Sequence, residues 1–230
     1  MHTANLTALA NRFGTDKGNA EGHAHDYTRL YGFLFEQFRM EPFSMLEIGL
    51  HRGGVEGGGT VDRVAQDAPS MRMWLEYFPN AFCYGFDLSD FSNIRLDRFE
   101  FIRGDLSSEQ QLAALAARLP PLRLLVDDGS HASFHQQLAF TRLFDSIAPG
   151  GFYVIEDFHW QPGFEAALPP CRKTAEIFED FLCTGVLDIP FATPEWRAAT
   201  TAKIRNVFVH RDDRGGVDRW CMKMVAIQKC

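Results

Sequence analysis

From Phe43 onward the chain repeats one pattern: a short apolar run ends at Gly or Asp and gives way to a helix-patterned stretch. Such β-α units build a parallel sheet covered by helices, which restricts the fold to the α/β class. The pattern predicts strands at Ser44–Ile48, Phe82–Phe86, Phe99–Arg103, Leu122–Val126 and Gly151–Ile155. Two further runs, Asn206–His210 and Trp220–Gln228, flank an Asp- and Gly-rich stretch at Arg211–Arg219 and are expected to pair as an antiparallel hairpin. The result is a seven-stranded, mostly parallel sheet.

Before the repeat, the sequence predicts a helix at Leu6–Phe13, a glycine-broken loop at Gly14–Gly22 and an aromatic-rich helix from about Asp26 to Arg39. Residues 1–40 are therefore expected to form a helical cap, and residues 41–230 the sheet domain. Phe33, Phe35 and Phe38 fall at helical spacing and are expected in the core. Two stretches interrupt the β-α plan. Gly54–Ser70 is polar and glycine-rich, as in a mobile surface loop, and Trp160–Thr201 carries five prolines around one amphipathic helix near Lys173–Leu182, where a substrate lid would sit.

The chain has 230 residues, 46% hydrophobic and 23% charged, enough apolar material for the core of one large domain. Its net charge of -7 disfavours a nucleic-acid partner, because backbone binding rests on Lys and Arg. Five cysteines without a C-x-x-C pair read as reduced thiols. No run is long enough to span a membrane, and Met1–Ala10 lacks a basic segment followed by an apolar core, so a cytoplasmic location is expected.

The first strand ends in Glu47-Ile48-Gly49 and continues to Gly53, the form E-x-G-x-x-x-G. Glycine there permits a sharp turn and close approach to a ligand. An ordinary β-α turn is the other reading. Asp87 ends the second strand, where a carboxylate accepts hydrogen bonds from a ribose diol or caps a helix. Asp105 ends the third. Acidic groups in order at three strand ends favour a cofactor site. The turn lacks the second glycine of G-x-G-x-x-G, which points away from a pyrophosphate cofactor such as a nicotinamide dinucleotide.

Val126-Asp127-Asp128-Gly129-Ser130-His131 ends the fourth strand, and Glu156-Asp157 ends the fifth. Neighbouring parallel strands bring these ends together, and carboxylates crowded there repel unless a cation joins them. Asp128, Glu156 and Asp157 are the candidate ligands, and an all-oxygen set suits Mg²⁺, with Mn²⁺ or Ca²⁺ as alternatives. His131, three residues past Asp128, is placed to act as general base toward a hydroxyl. The structural alternative is that Asp127 and Asp128 cap the next helix and Glu156-Asp157 is a solvated strand end. His135, one turn on, reads first as a satisfied helix histidine.

These motifs resemble those of the metal-dependent sugar O-methyltransferases of the macrocin, mycinamicin and rhamnosyl type found in antibiotic biosynthesis. The shared elements are F-G-T-D-K-G (Phe13–Gly18) with His25 and Tyr27, L-E-I-G at Leu46, W-x-x-Y-F-P-N-A at Trp74 and Y-G-F-D at Tyr84, followed by D-D-G-S-H at Asp127 and P-G-G-x-Y-V-I-E-D at Pro149. The resemblance implies the Rossmann-like class I methyltransferase fold with S-adenosylmethionine and Mg²⁺ as cofactors. It implies Asp128, Glu156 and Asp157 as metal ligands, His131 as general base, and Thr15 and Lys17 near the methionine end of the cofactor. Glu47, Gly49, Gly53, Asp87, Asp105 and Asp127 complete the cofactor set, and Arg52, beside His51, is a candidate for the methionine carboxylate. Relatives often assemble as multimers, so a homo-oligomer is expected.

The chain departs from the family pattern at Val55–Ser70 and at Phe158-His159-Trp160-Gln161, which is expected to touch the acceptor. The expected acceptor is a hydroxyl of a sugar, polyol or other small natural product. The alternatives are a catechol-type metal-dependent methyltransferase and a non-catalytic relative that keeps the fold.

Overall fold

The computed structural model describes residues 5–20, 25–211 and 221–230. Gly22 of the predicted loop, the connection 212–220 and Trp220, with which the last strand is expected to begin, lie outside the described residues.

The strands are β1 (Ser44–Ile48), β2 (Phe82–Asp87), β3 (Phe99–Arg103), β4 (Leu122–Asp127), β5 (Ile147–Ile155), β6 (Ile204–Arg211) and β7 (Met222–Lys229). They form one sheet in the order β3-β2-β1-β4-β5-β7-β6. The first five pair in parallel, and β7 runs antiparallel between β5 and β6. β5 begins at Ile147, before the predicted Gly151, because Pro149-Gly150 is absorbed as a register shift against β4, with Gly150 at φ +77°.

The helices are α1 (Leu6–Phe13), α2 (Thr28–Phe35), α3 (Pro69–Tyr77), α4 (Glu109–Arg118), α5 (Ser133–Leu143), α6 (Thr174–Thr184) and α7 (Pro194–Thr201). Side chains alternate across the central strands. Met45, Leu124, Val126, Phe152 and Val154 enter the core under α1, α2 and α3. Leu46, Ile48, Leu125, Tyr153 and Ile155 enter the core under α4, α5 and α6.

Helix α2 is fastened through a stripe of fully buried rings, Tyr27, Tyr31, Phe35 and Phe38. Each such ring contributes about 1.5–3 kcal/mol on burial. Phe33, expected in the core, is 77% exposed, since it falls on the opposite side of that stripe. All five cysteines are free.

The 54–70 stretch is more than a surface loop. It holds a 3-10 turn at Val55–Gly57, a bridge from Val64 to Asp90, and buried Ala65 and Ala68. Arg63 donates to the carbonyls of His51 (3.0 Å) and Arg52 (2.9 Å), tying the insertion to the turn after β1. Between β5 and β6 there are two helices rather than the one expected. The second, α7, carries its own start signal: Thr193 Oγ1 accepts from Trp196 N at 3.2 Å, and Pro194 stands in the first turn.

Candidate functional site

Strand order reverses between β1 and β4, which opens a crevice at their C-terminal ends. Main-chain bonds from Asp128 N to Ile48 O and from Glu156 N to Asp127 O, both 2.9 Å, hold the three strand ends level. Alternation then separates the acidic residues. Glu47, Asp128 and Glu156 turn toward the α1–α3 layer, and Asp127 turns the other way, beside Tyr153.

Lys17, in the loop between α1 and α2, places its ammonium among the first three. Its Nζ lies 2.6 Å from Asp128 Oδ2, 2.8 Å from Glu156 Oε2 and 3.4 Å from Glu47 Oε1, with the side chain 1% exposed. Tyr31 donates its hydroxyl to Glu156 Oε1. Ser70 Oγ (2.6 Å) and Trp74 Nε1 (3.2 Å) donate to Glu47. Burial alone would lower the Lys17 pKa, but Asp128, Glu156 and Glu47 outweigh it and hold it well above its ordinary value. Burial pushes Glu47 up to about 7 against the pull of Lys17. Glu156 is driven well above the carboxylate range, first by burial and then by the charge of Asp128.

A cavity of about 920 Å³ opens above this wall. Asp128, His131 and Asp157 line it, and each offers a ligand atom within 4.8 Å of the others. His131 Nε2 stands 3.7 Å from Asp157 Oδ2, its Nδ1 is buried without a hydrogen-bond partner, and Trp160 packs edge-on against the ring. His131 (φ +62°) and Asp157 (φ +56°) both occupy the left-handed region. A non-glycine residue there costs about 1–3 kcal/mol, and such strain concentrates at functional sites. Burial would raise the Asp157 pKa, yet His131, His25, the Tyr27 hydroxyl and His159 together bring it below its ordinary value.

The turn after β1 continues the cavity. Gly49 has φ +78°, and a Cβ there would lie 2.0 Å from the Asp128 carbonyl oxygen, so only glycine fits. Asp87 accepts from Leu50 N (2.8 Å) on one oxygen and from Ser89 N (2.7 Å) on the other, which joins the ends of β1 and β2. Its pKa is raised by burial despite those bonds. Asp105 accepts from Ser107 N at 2.8 Å. His135, in the first turn of α5, bridges Ser130 Oγ and Ser107 Oγ, both at 2.7 Å. His51 lines the cavity with both ring nitrogens buried and unpartnered, and its pKa is lowered by burial. Glu56 of the insertion accepts from Gly53 N (3.1 Å) and Gly54 N (2.8 Å).

No family model matches the chain. It is 35% identical over 184 residues to the 8-demethyl-8-alpha-L-rhamnosyl tetracenomycin-C 2'-O-methyltransferase of Streptomyces olivaceus, covering 79% of this chain and 45% of that one. It is 35% identical over 179 residues to the mycinamicin VI 2''-O-methyltransferase of Micromonospora griseorubida, covering 74% of this chain and 41% of the relative. The solved MycE methyltransferase from the mycinamycin biosynthetic pathway, in complex with Mg and SAH, superposes with a TM-score of 0.75 at 26% identity, over 99% of this chain and 55% of that chain. Over the shared length, the chain belongs to the macrocin, mycinamicin and rhamnosyl O-methyltransferase family. Its sheet is the class I methyltransferase sheet. The chain spans less than half the length of these curated relatives.

For this family member, the structure divides the residues that the motifs singled out. Thr15, Gly49, Arg52, Gly53, Asp87 and Asp105 line the cavity, together with Asp128, His131 and Asp157. Lys17, Glu47, Asp127 and Glu156 lie behind it and are fully buried. Lys17 and Glu47 meet each other there, Glu156 is held by Lys17 and Tyr31, and Asp127 accepts from Gly129 N at 3.3 Å. Sequence reasoning did not assign roles to Tyr27 and Tyr31. Their i, i+4 spacing on a buried helix was the available signal, since it puts two hydroxyls on one face. His25 and His159 flank Asp157, each with a ring nitrogen 3.8 Å from Oδ1; the H-x-Y motif marked the first, and the second lies in the Phe158–Gln161 stretch expected to touch the acceptor.

Proposed function

We propose that this chain transfers the methyl group of S-adenosylmethionine to a hydroxyl of a sugar or related small natural product, with Mg²⁺ held at the crevice. The observation that carries this reading is the convergence of Asp128, His131 and Asp157 on one point of a cavity that runs continuously into the glycine turn after β1. The similar MycE structure, in complex with Mg and SAH, supports the choice of cofactors.

The residues present suit both groups. Asp128 and Asp157 are carboxylates at the cavity wall, and the raised pKa of Asp128, due first to burial, which prevails over the pull of Lys17, with the Asp157 charge adding to it, is the state a divalent cation relieves. Glu156 belongs to the same acidic set and supports Asp128 through their common bond to Lys17. The space at Gly49 and the Asp87 carboxylate suit a nucleoside lying along the ends of β1 and β2. When bound, the sulfonium cofactor supplies an electrophilic methyl group and the divalent ion acidifies a hydroxyl.

The chain's own residues do the rest. His131 takes the acceptor's proton, its unpartnered Nδ1 and its approach to Asp157 setting the ring at the cavity edge. Asp157 stays ionised and fixes the imidazole. His51 and Arg52 line the turn where the amino-acid end of the cofactor would lie, and Asp105 stands at the end of β3 for the base. Trp160, Phe164 and Leu168 cover the acceptor end with apolar surface and exclude water.

The test is methyl transfer from labelled S-adenosylmethionine to glycosides and to catechols, with and without a chelator. Transfer to a glycoside that stops on chelation and returns with Mg²⁺ is expected. Transfer to vicinal aromatic diols alone would assign the catechol type, and cofactor binding without transfer to any polyol would assign a non-catalytic relative.

A further inference from the structure

Asp157 serves two groups of imidazoles with its two oxygens. Oδ2 faces His131 Nε2 at 3.7 Å and belongs to the group described above. Oδ1 faces His25 Nε2 and His159 Nδ1, each at 3.8 Å. His25, Asp157 and His159 offer ligand atoms that lie within 4.8 Å of one another, and the proposed methyl transfer uses Asp157 of this set but neither histidine.

The spacing fits an ion better than direct contact. N–H···O hydrogen bonds close at about 2.7–3.2 Å, so neither histidine hydrogen-bonds to Oδ1. Two ligands each about 2.1 Å from one ion stand at most about 4.2 Å apart, so both gaps accommodate one. The ligands are held by neighbours. His25 stacks on Tyr27 with centroids 5.1 Å apart and meets His159 edge-on at 5.2 Å. Tyr27 donates its hydroxyl to Oδ1 and orients the carboxylate. The Lys223 charge near His159 opposes a cation, and the Asp157 charge favours it. His25, Asp157 and His159 all line the cavity.

We propose that His25, His159 and Asp157 Oδ1 form a second cation subsite, selective for a borderline divalent ion such as Zn²⁺ or Co²⁺ and bridged to the first group by the Asp157 carboxylate. Two imidazoles and one carboxylate suit such ions and leave a coordination position open to the cavity. Mg²⁺, which prefers oxygen ligands, selects the other side. The subsite exists without methyl donor or acceptor, so its test is independent of the proposed activity.

Metal-stripped, tag-free protein is titrated with Co²⁺ in excess Mg²⁺ and read by visible absorption and calorimetry. Binding with the bands of a nitrogen-containing site is expected. His25→Ala and His159→Ala should each weaken it by about tenfold or more, and His131→Ala should retain it. Paired Gln variants serve in place of either Ala variant that fails to fold. An unchanged affinity and spectrum in the His25→Ala/His159→Ala double variant overturns the proposal, as does loss of the signal in His131→Ala alone.

Discussion

A single ammonium, that of Lys17, holds the acidic wall of the site together. Removing one member of a buried ion pair leaves an uncompensated charge and costs about 3–5 kcal/mol. Lys17→Met should therefore lower stability by that amount in urea denaturation, and adding Glu156→Gln should restore part of it, since the Lys17 ammonium lies 2.8 Å from Glu156 Oε2. His131 has no comparable structural duty. His131→Ala should reduce kcat by about 10²–10⁴, the usual contribution of a general base, while calorimetry shows unchanged affinity for S-adenosylhomocysteine. Asp127 provides a pH test on the opposite face of the sheet. Burial lifts its carboxyl from 3.8 to about 7. The folded state therefore keeps a proton that the unfolded chain has lost, and the stability this confers is complete below pH 3.8 and lost as the pH rises through about 7. Asp127→Asn should accordingly gain stability relative to the parent between pH 5 and pH 8 in urea titrations. A constant difference across that range would refute the assignment.

Among the elements, the 54–70 insertion acts as a brace for the cofactor turn. Arg63 donates to the carbonyls of His51 and Arg52, and Glu56 accepts from the amides of Gly53 and Gly54. Arg63→Ala should raise the KM for S-adenosylmethionine several-fold while kcat changes little, because the turn loosens and the His131 side of the crevice does not. Steady-state kinetics separates the two constants. The amides under Glu56 are also the groups that a bound carboxylate would seek, so the insertion meets the cavity from its own side. Helix α7 shows how a short helix is missed: its Thr193 cap is explicit, but Pro190 just before it and Pro194 in its first turn read as loop.

For the whole molecule, the sheet is a frame that brings distant segments to one crevice, and ligands that bind only the assembled crevice should stabilise the entire fold. S-adenosylhomocysteine and Mg²⁺ together, at a hundred times their dissociation constants, should raise Tm by about 10–20 °C in a thermal-shift assay. No shift with either would remove the site from the folded state. Much of this frame was legible in the chain. Apolar runs ending at Gly or Asp marked the first five strands, and two runs flanking an Asp- and Gly-rich stretch marked the last two. Asp128, Glu156 and Asp157, with His131 beside them, were expected at one point because parallel neighbours end side by side; Glu156 instead lies behind the cavity, held by Lys17 and Tyr31. The order of elements, the turn at Gly49 and the acidic strand ends are local properties, and local sequence determines them. Which way each acid faces is decided by strand alternation together with what packs on that face. Glu156 and Glu47 are drawn under the wall because Lys17, Tyr31 and Trp74 arrive there from other parts of the chain. The pairing of His25 with His159 across Asp157 was equally out of reach. Such contacts join residues far apart in sequence, and only the packed α1–α3 layer brings their charges and hydroxyls within bonding distance.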